Sequence, residues 1–344
     1  MLTQDDRRHR GGREQLRTIA LEEHCLTPEL RELLGEQIHP YYAVHRWPPP
    51  LEARLLDLGE GRIAEMDAHG IDVQVLSMVQ PGLEHTPADR AVPVARAFND
   101  RIAAAVAAHP DRFAAFAALP TADPGAAADE LARAVLELGF KGALVNGRTL
   151  ERFLDDQFFW PIFESAEGLG VPIYLHPMPL PKAVYDAYYS GFGDAVGFML
   201  AAPAWGWHIE TGLHALRLIL AGVFERFPKL QIIIGHMGEV IPFMLARIDE
   251  VLRGRTALDP ATSPIELSVP EYFQRNFHIT TSGLFTDPPL RCAIDTLGID
   301  KILFAVDHPF SDGAMARAWI DRAAISDAER AKITHGNAER LLAL

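Results

Sequence analysis

The chain has 344 residues, 49% hydrophobic, 9% aromatic and 23% charged, a globular balance that excludes disordered, collagen-like and coiled-coil proteins. Its 32 Lys and Arg against 46 Asp and Glu leave a formal net charge of -14. That charge disfavours nucleic acid and membrane partners but not a small anionic substrate held by a local cation. Two cysteines, Cys25 and Cys292, cannot build a disulfide framework and fit a reducing, cytoplasmic location.

In chain order, residues 1–17 carry charges without an apolar segment and are expected to form a solvated tail, leaving 18–344 as one domain. Short apolar, β-branched runs follow at 18–22, 73–78, 113–119, 142–146, 171–176, 231–235, 277–281 and 301–307. Helical spacing separates them at 61–69, 89–109, 123–139, 158–169, 210–227 and 239–252, with Gly70, Pro110, Gly139, Gly170 and Pro228 as stops. Eight strands alternating with helices predict an α/β fold of the (β/α)₈ TIM-barrel class, and no Gly-x-Gly-x-x-Gly turn follows the first strand to suggest an open nucleotide-binding sheet. The Pro-rich piece 45–52 and the stretch 178–207 are expected to be loops inserted over the C-terminal face. No run approaches the roughly 20 apolar residues that span a bilayer.

Barrel enzymes assemble their chemistry at the C-terminal strand ends. There this sequence places Glu22-Glu23-His24, Asn146, His176, His236, Thr281-Ser282 and Asp307-His308. Alternation puts Glu22 and His24 on one side of their strand and Glu23 on the other. With His176 and Asp307 they make a mixed nitrogen and oxygen set suited to Zn²⁺ or Mn²⁺. His236, at a strand-to-helix turn, could serve as ligand, general acid/base or hydrogen-bond donor. Glu239 could orient it or simply complement a helix N-terminus. His69, His109 and His214 have structural placements at helix ends or within a helix, and His9, His39, His45, His85 and His335 receive no role.

The segments IALEEH (19–24), MDAHGID (66–72), PDRFAAFAALP (110–120), GFKGALVNG (139–147), VPIYLHP (171–177), IIIGHMGE (232–239), NFHITTSG (276–283), ILFAVDHPF (302–310) and GNAERLL (336–342) carry a resemblance. Together they resemble the amidohydrolase superfamily, in its amidohydrolase-related (family 2) type, and within it the γ-resorcylate (2,6-dihydroxybenzoate) decarboxylases. The Glu-x-His start, where most superfamily hydrolases have His-x-His, is the more specific signal.

That resemblance implies one divalent metal, Zn²⁺ or Mn²⁺, on Glu22, His24, His176 and Asp307. It implies a substrate site lined by His236, with Glu239 supporting it and Asn146 near the ring, and Arg247 reaching a neighbouring subunit's pocket in a dimer or tetramer. The implied reaction is reversible, non-oxidative decarboxylation of a hydroxylated benzoate, with Asp307 protonating the ring carbon. A metal-dependent hydrolase of an amide, ester or lactone is the alternative on the same scaffold, and a vestigial, non-enzymatic barrel the third. Two departures from the resemblance, His308 where an aromatic residue is common and Cys25 where Phe is common, imply a more polar pocket, with His308 as a substrate contact. The segment 30–58, with Tyr41, Tyr42, Arg46 and Trp47, departs from the resorcylate enzymes and is expected to set the ring substituents.

Overall fold

The computed structural model describes residues 16–36, 47–256 and 265–344. Tyr41, Tyr42, Arg46 and most of the expected N-terminal tail lie outside these residues. The strands are β1 (Ile19–Cys25), β2 (Val73–Met78), β3 (Phe113–Ala115), β4 (Ala117–Ala118), β5 (Ala143–Asn146), β6 (Ile173–His176), β7 (Ile232–Ile234), β8 (Phe277–Thr280) and β9 (Ile302–Leu303). All neighbours pair in parallel, in the orders β1-β2-β3 and β4 through β9.

Two contacts close this ladder into a barrel. The Phe116 N–H donates to the Leu76 carbonyl at 2.9 Å, so β3 and β4 are one strand interrupted at Phe116. On the other side Leu21 bridges Ala305 in parallel, and its N–H donates to the Phe304 carbonyl at 3.0 Å. Eight strand positions therefore run round the barrel, as the alternation of apolar runs and helices predicts.

Period-two alternation divides the strand side chains into two cores. Ile19, Leu21, Val73, Val75, Leu144, Tyr174, Ile233 and Leu303 fill the lumen, closed below by Ala338 and Leu342 of the C-terminal helix Asn337–Leu342. Ala20, Leu76, Ala143, Val145, Ile173, Leu175, Ile232, Ile234, Ile279 and Ile302 belong to the larger shell packed under the helices. A strand covered on both faces needs apolar residues at every position, which is why the parallel strands read as continuous runs.

Local chemistry sets the helix ends. Asp123 caps Pro124–Leu136 by accepting from the Gly125 and Ala126 N–H groups at 3.1 Å, with Pro124 at the first helical position. Gly70 and Gly170, each at φ 68, end the helices Glu60–His69 and Trp160–Leu169 in the left-handed conformation.

Several expected boundaries move. β1 runs three residues past Glu22. The expected loop 178–207 contains the helices Lys182–Tyr188 and Asp194–Ala201 and the start of Gly206–Leu220, and of the expected loop 45–52 residues 49–52 belong to the helix Pro49–Leu56. Their helical patterns are short and interrupted by Gly and Pro, so the breakers dominate the sequence signal. Residues 236–240 are not the start of a helix: His236, Met237, Gly238, Glu239 and Val240 all have positive φ, and the long helix begins at Ile241. At the base, the exposed Arg17 side chain pairs with Glu339, and its carbonyl lies 3.0 Å from His335 Nδ1.

Candidate active site and metal centre

Ile19 and Leu21 face the lumen, so strict alternation along β1 would turn Glu22 and His24 outward, under the helices. A register irregularity between Ala20 and Glu23, with Glu22 at φ 62, resets the parity. Glu22 and His24 then face the mouth and Glu23 faces out. The Glu23 carboxyl accepts from Gln74 Nε2 at 2.8 Å and from the Val306 N–H at 3.0 Å, while Arg62 Nη2 donates to the His24 carbonyl at 2.7 Å. Burial pushes the Glu23 carboxyl up to about 8, against the opposing Val306 N–H and Arg62 charge. These bonds tie the first and last strands together behind the site.

At the mouth the structure brings Glu22, His24, His176 and Asp307 together, one ligand atom from each lying within 4.8 Å of the others. His24 Nε2 is 3.1 Å from His176 Nε2 and 3.3 Å from Asp307 Oδ1, and His176 Nε2 is 3.3 Å from Glu22 Oε1. Two imidazole nitrogens aimed at each other and at two carboxylates are the arrangement a divalent cation resolves. Glu22 Oε1, fully buried, has no hydrogen-bond partner among the described residues, as a ligand oxygen requires. Its other oxygen accepts from Tyr174 OH and, at 3.2 Å, from Thr280 Oγ1, both rising from the strands below. Ser77 Oγ lies 3.3 Å from His24 Nδ1, leaving Nε2 for the cluster. Gly235 leaves room for this carboxylate: a Cβ there would sit 3.0 and 3.1 Å from the Glu22 carboxylate oxygens, so these would have to shift by a few tenths of an ångström.

Burial alone would raise the Glu22 carboxyl, but His236, His176 and His24 around it hold it well below the usual carboxylate range. Burial lowers His176. Glu22 and His176 therefore favour the deprotonated forms that bind metal.

Next to the four stands His236, with Nε2 3.7 Å from Glu22 Oε1 and 3.9 Å from Asp307 Oδ2. Its backbone N–H donates to Ser282 Oγ at 3.0 Å and its ring Nδ1 lies 2.8 Å from Glu239 Oε1. Burial alone would lower this imidazole, but the carboxylates of Glu239 and Glu22 hold it well above the ordinary histidine range. Left-handed non-glycine residues cost about 1–3 kcal/mol each and cluster at functional sites. His236, Met237, Glu239, Glu22 and Asp307 (φ 73) are five such residues around one cluster.

Of the remaining expected residues, Asn146 is buried beside the cluster, paired in register with His176, and its N–H donates to Glu84 Oε1 at 2.7 Å. Arg247 stands on the exposed face of the helix Ile241–Thr256 with Glu250 3.1 Å away, and does not reach this chain's own cluster. His308 is buried beneath the helix Glu60–His69, its Nδ1 3.7 Å from Glu65 Oε1, and the structure does not bring it among the four. The Phe310 ring, not the His308 ring, faces His24, at 5.8 Å between centroids. His214 is structural: its Nε2 accepts the Leu154 N–H at 2.8 Å.

The sequence reading missed three residues. Tyr174 was legible, being two positions before His176 on the same face of β6. Glu84, with burial pushing its carboxyl up to about 8 against its Asn146 contacts, follows β2 in a loop with no periodicity. His208, whose Nδ1 is 2.8 Å from Glu239 Oε2, gave no signal because its helix starts inside an expected loop.

Barrel and donor set together define a divalent-metal enzyme of the (β/α)₈ class. The amidohydrolase family profile matches residues 42–344. The chain is 42% identical over 337 residues to the γ-resorcylate decarboxylase of Rhizobium sp. (strain MTP-10005), covering 95% of this chain and 98% of that protein. Among solved structures it is similar to the dihydroxybenzoic acid decarboxylase of Polaromonas sp. JS666 with bound manganese and the inhibitor 2-nitroresorcinol (40% identity, 96% and 97% of the chains covered, TM-score 0.82). It is also similar to the 5-carboxyvanillate decarboxylase of Sphingomonas paucimobilis (35% identity, 96% and 99% covered, TM-score 0.89). This chain belongs to the amidohydrolase family.

Proposed function

We propose that the protein is a divalent-metal-dependent, non-oxidative decarboxylase of hydroxylated benzoates, with Glu22, His24, His176 and Asp307 as the metal ligands. One observation carries the assignment of roles. The side chains of Glu22, His24 and His176 are 0–3% exposed, whereas Asp307 is 16% exposed, so Asp307 is the member of the set that a substrate meets. Beside it His236 is 11% exposed.

The metal, when bound, offsets the negative charge of the substrate carboxylate in a strongly acidic protein and polarises the bond to be broken. Asp307 donates a proton to the ring carbon bearing the carboxylate, while an ortho-hydroxyl supplies the electron density that this carbon needs. The ring–carboxylate bond then breaks, its electron pair restores the aromatic ring, and carbon dioxide leaves. His236 hydrogen-bonds the substrate oxygen, held in place by Glu239, and Asn146 contacts the ring. Each turnover consumes one proton from solvent to restore Asp307; in reverse, carbon dioxide supplied by high bicarbonate adds to the ring carbon and the Asp307 carboxylate takes the proton that leaves it.

Mn²⁺ is proposed ahead of Zn²⁺, because two carboxylates with two imidazoles make a harder set than zinc requires and the Polaromonas relative holds manganese. A homo-oligomer is proposed from the helix Ile241–Thr256. There Phe243 (79% exposed), Met244 and Val251 surround Arg247 on the surface, an apolar patch that a second copy would cover and that would carry Arg247 to its pocket. Cys25 and Cys292 are both free thiols, in keeping with a cytoplasmic location, and among the described residues no helix is long and apolar enough to cross a membrane.

The test is turnover of the Mn²⁺-loaded protein on 2-hydroxy-, 2,3-, 2,4- and 2,6-dihydroxybenzoates, read as phenol formation by ultraviolet absorbance and chromatography. Asp307→Asn is expected to keep its metal and lose roughly 10²- to 10⁴-fold in kcat, the range of a general acid. Full turnover by that variant would refute the assignment of Asp307.

A further inference from the structure

Both oxygens of the Glu239 carboxylate are occupied by imidazoles. Oε1 faces His236 Nδ1 and Oε2 faces His208 Nδ1, each at 2.8 Å, with the two rings 4.4 Å apart between centroids. Glu239 is fully buried, and His208 comes from a different element, the helix Gly206–Leu220. A carboxylate held at one oxygen can rotate and present either oxygen to its partner. One held at both has a single orientation.

We propose that His208 is a positioning residue for His236. By fixing Oε2 of Glu239 it aims Oε1 at Nδ1–H of His236, which in turn directs Nε2 of that ring toward Asp307 and the substrate. The surroundings of His208 suit this task. Its Nε2 lies 3.1 Å from the Trp207 Nε1–H donor and 2.9 Å from the Pro203 carbonyl acceptor. Trp207 donates to Nε2, which leaves Nδ1 to carry the ring proton toward Glu239. The charged or titratable groups in this array are Glu239 and His236 beside His208, with Glu22 and Asp307 beyond His236.

This inference rests on the decarboxylase reading only for its kinetic arm. The spectroscopic arm records the ¹H–¹⁵N signal of His236 Nδ1–H in the Mn²⁺-free and Zn²⁺-loaded proteins, assigned by its loss in His236→Asn. In His208→Phe, which keeps a ring but no donor, that signal is expected to move upfield or broaden. In the kinetic arm kcat is expected to fall roughly tenfold, the scale of one hydrogen bond to a charged group, with KM and metal content held. His208→Asn, which retains an N–H near the position of Nδ1, is expected to restore both readouts. An unmoved signal with unchanged kcat in His208→Phe overturns the proposal, as does a fall in melting temperature alone. A second equivalent of Mn²⁺ bound by the wild type and lost in His208→Phe also overturns it, since His208, His236 and Glu239 would then be ligands. If the wild type turns over no benzoate, the signal of His236 still decides the positioning role.

Discussion

The two ends of the barrel are built on opposite terms. Below, Ile19, Leu21, Val73, Leu144, Ile233 and Leu303 fill the lumen with hydrocarbon, the strand pairs keep regular register and the C-terminal helix closes the base. A few residues along the same strands, the lumen-facing positions become Glu22, His24, Asn146, His176 and Thr280, and the backbone turns left-handed at Glu22, at His236 to Val240 and at Asp307. Like-charged carboxylates and strained dihedrals persist at the upper end because the lower end fixes the strands from which they project. Stability and chemistry are thus separated by about two residues of strand, and mutations on either side should separate them too.

The largest effect is expected for Ile233→Ala, which removes a fully buried side chain from the lumen. Its unfolding free energy, from urea titration, should fall by about 2–5 kcal/mol while kcat of the folded enzyme is retained. A matching loss of kcat would erase the distinction between the two ends. Tyr174 straddles the boundary, with its ring in the lumen cluster and its hydroxyl on Glu22. Tyr174→Phe keeps the packing and removes the donor, so metal affinity measured by competition with a chelator should weaken roughly 10- to 100-fold with little change in melting temperature.

The smallest effect is one of pH, outside the site. Burial, with Arg148 and Arg217 nearby, pushes His214 down to about 3, so the folded protein holds it neutral while the unfolded chain titrates near 6.5. The folded value is the lower one, so its contribution is present above about pH 6.5 and fades as pH falls toward 3. Between pH 7 and 5 it should cost about 2 kcal/mol of unfolding free energy, and His214→Gln should flatten that slope. An unchanged slope would mean that His214 is not the group responsible. His278, pushed down to about 3 by burial, keeps part of the slope in that variant.

Legibility followed the same division. Ile232 to Ile234 and Ile173 to Leu175 read as buried strands because both of their faces are apolar, and Gly70 and Gly170 marked helix ends because only their backbone freedom suits those turns. Glu22 and His24 were legible as an i, i+2 pair. They were also expected to face the mouth together, but the bulge that turns them inward against the parity set by Ile19 and Leu21 was not legible. The left-handed turn at 236–240 looked like a helix start, because an acidic residue after a strand is common to both.

The sequence by itself determined the alternation of strands and helices, the apolar filling of the barrel and the residue types at each strand end, because these follow from local period and composition. Only the tertiary structure decided which strand ends converge, that His308 turns toward Glu65 while Phe310 faces His24, and that His208 shares Glu239 with His236. Those outcomes depend on barrel closure, a bulge and a left-handed turn. Contacts between residues tens to hundreds of positions apart select them, and no local pattern encodes them.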